Sequence, residues 1–427
     1  MIKKLLSKKL LLFFLIYAAL MLLFIGFGTT VAALPHTARM EKNFCKSASH
    51  LVSQGTHPRL LWAVSDNYTD ALILNVALGY RYSGHTPLAA AMQNTLHHTR
   101  PGKNPVQELS AFTASPGESE NFSCGNYNRY FFGSAPIAKL AHYIGSLKSL
   151  QTALGSIVCI LAFVLFAWLY KKYGWEKAAA WLFMLMTTQF YICFHSLQFT
   201  PVFIIGMGIL ATALCMPDDL RLKYALFFSG GMLCAYFDLL TTPLLSVMIP
   251  ALFLAEADFR KSDGRWNNWL KIFAGYPLLW FTGYVASWGS KLIIADICNG
   301  KLFSCIHNIS YRMSSDGGFE HTADASRLTA ISRAFKEFTS LNTFIFAVIC
   351  ITAAIILITY LYQKRSVDKA VAVGYLAYAI VPLMYMLVMA NHSIVHPWMS
   401  YRNISLVLTS MFLLVTSSKK KSDGVNK

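Results

Sequence analysis

Mainly apolar runs recur along this chain, most of them close to the length a helix needs to cross the ~30 Å hydrocarbon core of a bilayer. A chain with about ten such runs has little choice but to fold within a membrane, where each backbone polar group needs an internal partner. The runs are Leu10–Leu34, Leu150–Tyr170, Ala178–His195, Pro201–Met216, Tyr224–Phe237, Leu239–Glu256, Trp269–Ser290, Leu341–Tyr362, Ala370–Ala390 and Tyr401–Ser417. Tyr224 to Glu256 also reads as one span broken around Asp238 and Pro243. With 55% hydrophobic and only 13% charged residues, an ordinary soluble domain is excluded. The expected fold is an all-α polytopic membrane protein, a single integral membrane domain over residues 1–427 without internal repeats.

The net charge of +17 does not point to nucleic acid, because Lys and Arg gather in short clusters at the ends of apolar runs. Lys3, Lys4, Lys8 and Lys9 precede the first run, and Lys171, Lys172 and Lys177 follow the second. Arg221 and Lys223 come next, then Arg260, Lys261 and Arg265, then Lys364, Arg365 and Lys369, and finally Lys419, Lys420 and Lys421. By the positive-inside rule these clusters face the cytoplasm, with both termini. The small residues Thr29, Thr30, Ala32 and Ala33 are compatible with a signal peptide, but the run before them is long for one, so an uncleaved anchor is expected. The short basic start and the lack of an appended soluble domain suggest a multi-pass protein of a bacterial inner (cytoplasmic) membrane.

Two long stretches then fall on the extracytoplasmic side, 35–149 and 291–340. The first is too long for a connector. Asp66 to Tyr80 and Pro136 to Leu147 read as short helices in it, and Arg100 to Ser123, rich in Pro, Ser, Gly and Asn, reads as irregular. In the second, Ala325 to Lys336 is a basic amphipathic stretch suited to a membrane–water boundary. Four of the nine cysteines, Cys45, Cys124, Cys298 and Cys305, lie in these loops, and Cys45–Cys124 and Cys298–Cys305 are natural disulfide candidates in an oxidising compartment. No metal-ligand spacing is present. Asn67, Asn121, Asn308 and Asn403 begin Asn-x-Ser/Thr triplets, which arise often by chance.

Ionisable and polar groups near span ends converge on that same side. Asp66 and Asp70, four residues apart on one helix face, come from the first loop with Arg129; His195 and Gln198 follow the third run; Asp238 ends the fifth; His392, His396, Tyr401 and Arg402 precede or open the last. Each has a plainer reading. Asp66 is a good N-cap with Asp70 in the favourable first turn, Asp238 suits a helix end, and Arg129 suits a structural role. The histidines suit an interface, and Arg402 suits a snorkelling anchor. Tyr68, Tyr127, Tyr130, Phe131, Phe132 and Trp398 offer rings for stacking on a sugar, although aromatics also gather at interfaces without ligands.

Together, a carboxylate, histidines and an arginine at a membrane surface suit a reaction in which a lipid phosphate leaves and a hydroxyl attacks. The carboxylate takes the hydroxyl proton, while Arg and protonated His neutralise the departing phosphate, with Arg402 best placed at headgroup depth. The layout resembles the GT-C glycosyltransferases, through the long first loop, the Asp66/Asp70 pair, the even number of spans and the cationic cluster. Local runs Asp66–Asp70, Ser196-Leu197-Gln198-Phe199, Tyr236-Phe237-Asp238 and Asn391–Asn403 are similar to those of poorly characterised bacterial members, often linked to surface polysaccharide.

That resemblance implies a polyprenyl-phosphate-linked sugar as donor substrate, a surface glycan or lipid-linked acceptor, and inverting displacement with Asp66 or Asp70 as base. Asp66 is preferred because Asp70 falls within the opening turns of the helix. It further implies a flippase and a donor synthase as partners, and assigns no cofactor beyond the donor. The first loop holds no Asp-x-Asp or Glu-Asp pair, so no metal is expected. A transporter or flippase, a polymerase or ligase of lipid-linked saccharides, and a non-enzymatic assembly factor are the alternatives. Against the transporter stand the missing repeats and the one-sided charges; against the polymerase stands the early position of the large loop.

Overall fold

In the computed structural model, the described residues are 2–100, 102–116, 122–262, 265–300, 326–341, 365–366, 368–417 and 419–420. They are mostly helical, with three short antiparallel strand pairs, the first being β1 (Arg59–Leu60) with β2 (Ala63–Val64). Helix α1 (Ile2–Ala33) leads into a loop domain of short helices: α2 (Ala38–Gln54), α3 (Asn67–Gly79), α4 (Pro87–Gln93), α5 (Pro105–Ala114) and α6 (Ser134–His142). The bundle follows with α7 (Leu147–Tyr173), α8 (Trp175–Thr188), α9 (Thr200–Cys215), α10 (Leu220–Phe237) and α11 (Leu244–Lys261). Short α12 (Trp266–Trp269) passes through a π turn, Leu270–Ala274, into α13 (Gly275–Asn299). Then come α14 (Leu328–Leu341), α15 (Lys369–Val388), α16 (Ala390–Val395) and α17 (Pro397–Thr416).

Among the described residues, four helices are long and apolar enough to cross a membrane, Leu10–Ala33, Leu147–Tyr173, Lys369–Val388 and Pro397–Thr416, and Thr200–Cys215 is a shorter apolar helix. Outward-facing Phe14, Leu22 and Phe163 are well exposed, as lipid-facing side chains would be. Several expected spans take a different form. The run Ala178–His195 stops being α-helical at Thr188, where Gln189 takes a left-handed φ of +55° and a 3-10 turn, Phe190–Phe194, follows. Tyr224 to Glu256 is two helices, broken between Asp238 and Pro243. The run expected to end at Ser290 continues as helix to Asn299. Leu341–Tyr362 lies outside the described residues beyond Leu341.

The loop helices start where their caps dictate. Thr37, Asp66, Thr86 and Asn104 each accept a backbone N–H three residues on, and Pro87 and Pro105 occupy first-turn positions that need no donor. The cap of Asn104 with Pro105 is why α5 exists inside a stretch expected to be irregular. Strands β3 (Thr95–Thr99) and β4 (Phe122–Asn126) pair antiparallel on either side of α5, from Thr95 opposite Asn126 to Thr99 opposite Phe122.

Two large apolar cores join these parts. One is the bundle interior, with Trp181, Phe203, Tyr276 and Tyr375. The other packs Phe24 of α1 and Met232 and Tyr236 of α10 against Phe44, Phe112, Phe131 and Phe132, so the loop domain is built onto the bundle. Backbone contact is close there: Gly133 N–H donates to the Tyr236 carbonyl at 2.8 Å. Helix α14 places Ala330, Ala334 and Phe338 in a third cluster with Ile394, Tyr401 and Ile404. Its apolar face is therefore covered by α16 and α17 rather than by the membrane boundary expected for Ala325 to Lys336.

At the end of α8, α10 and α11 away from the loop domain, several cations counted for orientation are ion-paired. Lys177 lies 2.7 Å from Glu256, Lys223 lies 2.6 Å from both Asp218 and Asp258, and Lys261 lies 2.5 Å from Asp218. Cys45 and Cys124 are free thiols rather than a disulfide, Cys45 Sγ donating to the Thr113 carbonyl and Cys124 lying on β4 opposite His97. Cys298 is also a free thiol, and its expected partner Cys305 lies outside the described residues.

Candidate functional site

Where the loop domain meets the C-terminal helices there is a cavity of about 620 Å³. Asp66, Tyr68, Thr69 and Leu72 reach it from the start of α3, His57 from the turn before β1 (Arg59–Leu60), and His98, Lys103 and Glu108 from the β3–α5 segment. Tyr127, Arg129 and Tyr130 follow β4 into it. Gln198, Leu239 and the α16–α17 corner, with His392, His396 and Trp398, close the remaining side.

The two carboxylates expected to share a role part company. Asp66 is 1% exposed and lines the cavity. It caps α3, Thr69 N–H donating to Oδ1 at 3.1 Å and Thr69 Oγ1 to Oδ2 at 2.5 Å, and His57 Nε2 stands 3.7 Å from Oδ1. The plain capping role and the cavity position are thus both real. Burial pushes the Asp66 carboxyl above the ordinary carboxylate range, against the bonds from Thr69 and the attraction of His57.

Asp70 is fully buried and does not line the cavity. Its oxygens accept from Leu197 N–H at 2.8 Å, Gln198 N–H at 3.0 Å, Gln151 Nε2 at 3.0 Å and Ser196 Oγ at 3.4 Å. Burial lifts this carboxyl to about 7 despite those donors. Asp70 is a bolt fastening α3 to α7 and to the turn after α8, so its place as a candidate base is corrected. Asp70 is held by these other elements rather than by its own helix.

Among the expected substrate-binding groups, Arg129, Gln198, His392 and His396 line the cavity. Four others do not. His195 contributes its carbonyl, which accepts from Ser65 Oγ and Gln151 Nε2 at 2.9 Å each. Asp238 closes the break after α10 by accepting Thr241 N–H at 3.1 Å. Tyr401 donates to Gln189 Oε1 at 2.8 Å. Arg402 is fully buried, donating to the Thr188 carbonyl at 3.1 Å and the Trp398 carbonyl at 3.0 Å, with its guanidinium 4.1 Å from the Phe199 ring centre. It locks α17 to the end of α8 instead of meeting a headgroup.

The guanidinium in the cavity belongs to Arg129. It stacks 4.1 Å over the Tyr127 ring and donates to the Tyr127 hydroxyl, and its Nε has no hydrogen-bond partner among the described residues. Trp398 Nε1 is likewise buried without a partner among them. Of the aromatic candidates, Tyr68, Tyr127, Tyr130 and Trp398 line the cavity, whereas Phe131 and Phe132 belong to the loop-domain core. The sequence reading missed His57, His98, Lys103 and Glu108. His98 Nδ1 pairs with Glu108 Oε2 at 3.1 Å, and a charged Glu on α5 facing a strand histidine was legible only once α5 was recognised. His57 follows a glycine turn and carries no periodic signal.

Rings form a continuous edge between the two halves of the site. Tyr68 faces His57 at 6.1 Å, His57 meets Trp398 at 4.8 Å, Trp398 meets His396 at 5.1 Å, and His396 meets His392 at 5.0 Å. Among the described residues, no three His, Cys, Asp or Glu side chains gather as a metal site. Compared with protein-family models, curated proteins and solved structures, the chain finds no match.

Proposed function

We propose that this chain is a membrane glycosyltransferase that moves a sugar from a polyprenyl-phosphate donor to a surface glycan or lipid-linked acceptor. Asp66 is the general base, and Arg129 takes the phosphate role first assigned to Arg402. The observation that carries this reading is that a buried carboxylate and a buried-side guanidinium, from separate parts of the loop domain, line one cavity with His392 and His396 of the C-terminal helices. A buried carboxylate with a raised proton affinity is a better base near neutral pH than an ordinary surface Asp. A guanidinium that lines the cavity offers charged donors to a leaving phosphate oxygen. Tyr68, Tyr127, Tyr130 and Trp398 supply faces for a sugar ring.

The same reading places the cavity on the extracytoplasmic side of a bacterial inner membrane, about ten spans with both termini inside, and a flippase and a donor synthase upstream. The test is mass spectrometry of the surface glycan from host cells carrying Asp66→Asn at normal protein abundance. Loss of one sugar residue is expected and names donor and acceptor together; an unchanged glycan removes Asp66 as base.

A further inference from the structure

We infer that His57 is a positioning residue through which the Asp66 carboxyl sheds its proton to water; this rests on the reading of Asp66 as base. A base that is 1% exposed must lose, once per turnover, the proton it has gained, or the next cycle begins with a spent carboxyl. Thr69 occupies Asp66 from one side through its backbone N–H and its hydroxyl, neither of which is basic enough to take that proton. On the other side stands His57, with Nε2 3.7 Å from Asp66 Oδ1 and a side chain 34% exposed against 1% for the aspartate. It is the imidazole that reaches from the buried carboxyl toward solvent.

The proton balance is simple. The acceptor hydroxyl gives its proton to the Asp66 carboxylate as the new glycosidic bond forms and the phosphate leaves with the bonding pair. Asp66 then passes that proton to the free Nε2 of a His57 already protonated on Nδ1, and the imidazolium releases one proton to bulk water. No electron changes hands. The 3.7 Å separation is one small side-chain adjustment longer than a hydrogen bond. His57 is held ready for it by its ring neighbours, Tyr68 at 6.1 Å and Trp398 at 4.8 Å. The other charged or titratable groups that line the same cavity are Tyr68 on α3, His98, Lys103 and Glu108 from the β3–α5 segment, Tyr127, Arg129 and Tyr130 after β4, and His392 and His396 at the α16–α17 corner, while Asp70 stands on α3 outside it.

Two measurements on the full chain test this. In detergent, with ring-labelled histidine and His57→Gln to assign the signal, the His57 ring-nitrogen resonances should move in Asp66→Asn, as expected when the group 3.7 Å from Nε2 changes. Unmoved resonances mean that the pair does not communicate and overturn the proposal without touching Asp66 as base. In host membranes with their own lipid-linked sugar, His57→Gln should slow incorporation into glycan about tenfold or more, and His57→Ala should regain rate as imidazole is added, with Asp66→Asn unresponsive. Wild-type rates in His57→Gln, or no response of His57→Ala to imidazole, overturn the relay. Full activity in Asp66→Asn would instead remove the base itself.

Discussion

The backbone amide of Gln198 donates to Asp70 Oδ1 at 3.0 Å, so the residue that carries an amide side chain into the cavity is fixed by a carboxylate that does not enter it. Variants of the two aspartates should therefore fail in different ways. Asp70→Asn turns an acceptor into an NH2 group among N–H donors and should cost about 1–3 kcal/mol of stability. Asp66→Asn keeps a good helix cap, so the thermal midpoint should barely move while glycan transfer falls ~100-fold or more. Unfolding in detergent and a transfer assay on the same preparations separate the two. Equal thermal losses would refute the division of roles.

Stability should carry the signature of Asp70 as a function of pH. Its carboxyl rises from an ordinary 3.8 to about 7 in the folded chain, so between those values the unfolded chain has lost a proton that the folded chain retains. The folded state binds the proton more tightly, and its contribution is complete below the unfolded value and lost as pH rises through the folded one. Each unit of separation is worth about 1.4 kcal/mol. Thermal midpoints of the wild type should thus decline from about pH 4 to pH 7 relative to Asp70→Asn, which lacks the titration. Parallel profiles would show that Asp70 is ionised throughout.

What the sequence made legible was local. Capping and apolar periodicity placed α3 over Asn67–Gly79 almost as expected, and Asp66 before it. The break at Asp238 to Pro243 was likewise readable from a charge and a proline inside an apolar stretch. Partnership was not legible. Whether Asp70 faces a cavity or a neighbouring turn depends on where Leu197 and Gln198 lie, and no residue near Asp70 announces them. Arg402 was misassigned for a similar reason: an Arg near a span end suits a headgroup, and only the packing of α17 on the end of α8 turns it inward, toward the Thr188 carbonyl.

The two arginines should exchange the effects first expected of them. Arg402→Ala removes donors from the Thr188 and Trp398 carbonyls and a cation from the Phe199 face, a loss of about 2–4 kcal/mol that should show as reduced abundance in membranes. Arg129→Ala leaves those contacts in place. Its expected effect is a higher donor-lipid requirement at near-normal abundance, read from transfer rates across a donor titration. A donor dependence that changes in neither variant would remove the guanidinium from the phosphate role.

Closeness of α10 to α13 rests on two glycines. A Cβ on Gly231 would come within 1.9 Å of the Trp280 carbonyl oxygen, and one on Gly283 within 2.1 Å of that of Phe228, both backbone atoms with no side-chain freedom to yield. Small residues let helix backbones touch, and where apolar surface meets lipid that contact is much of what holds two helices together. Alanine at either position has to push the helices apart, and overpacking of this kind costs about 1–3 kcal/mol. Since α10 ends at Phe237, just before Leu239 in the cavity wall, displacement should reach the site as well. Gly231→Ala and Gly283→Ala should each lower the thermal midpoint and glycan transfer together, whereas Gly208→Ala, where a Cβ meets nothing within 4 Å, should change neither. Thermal denaturation and transfer assays on the three variants decide it.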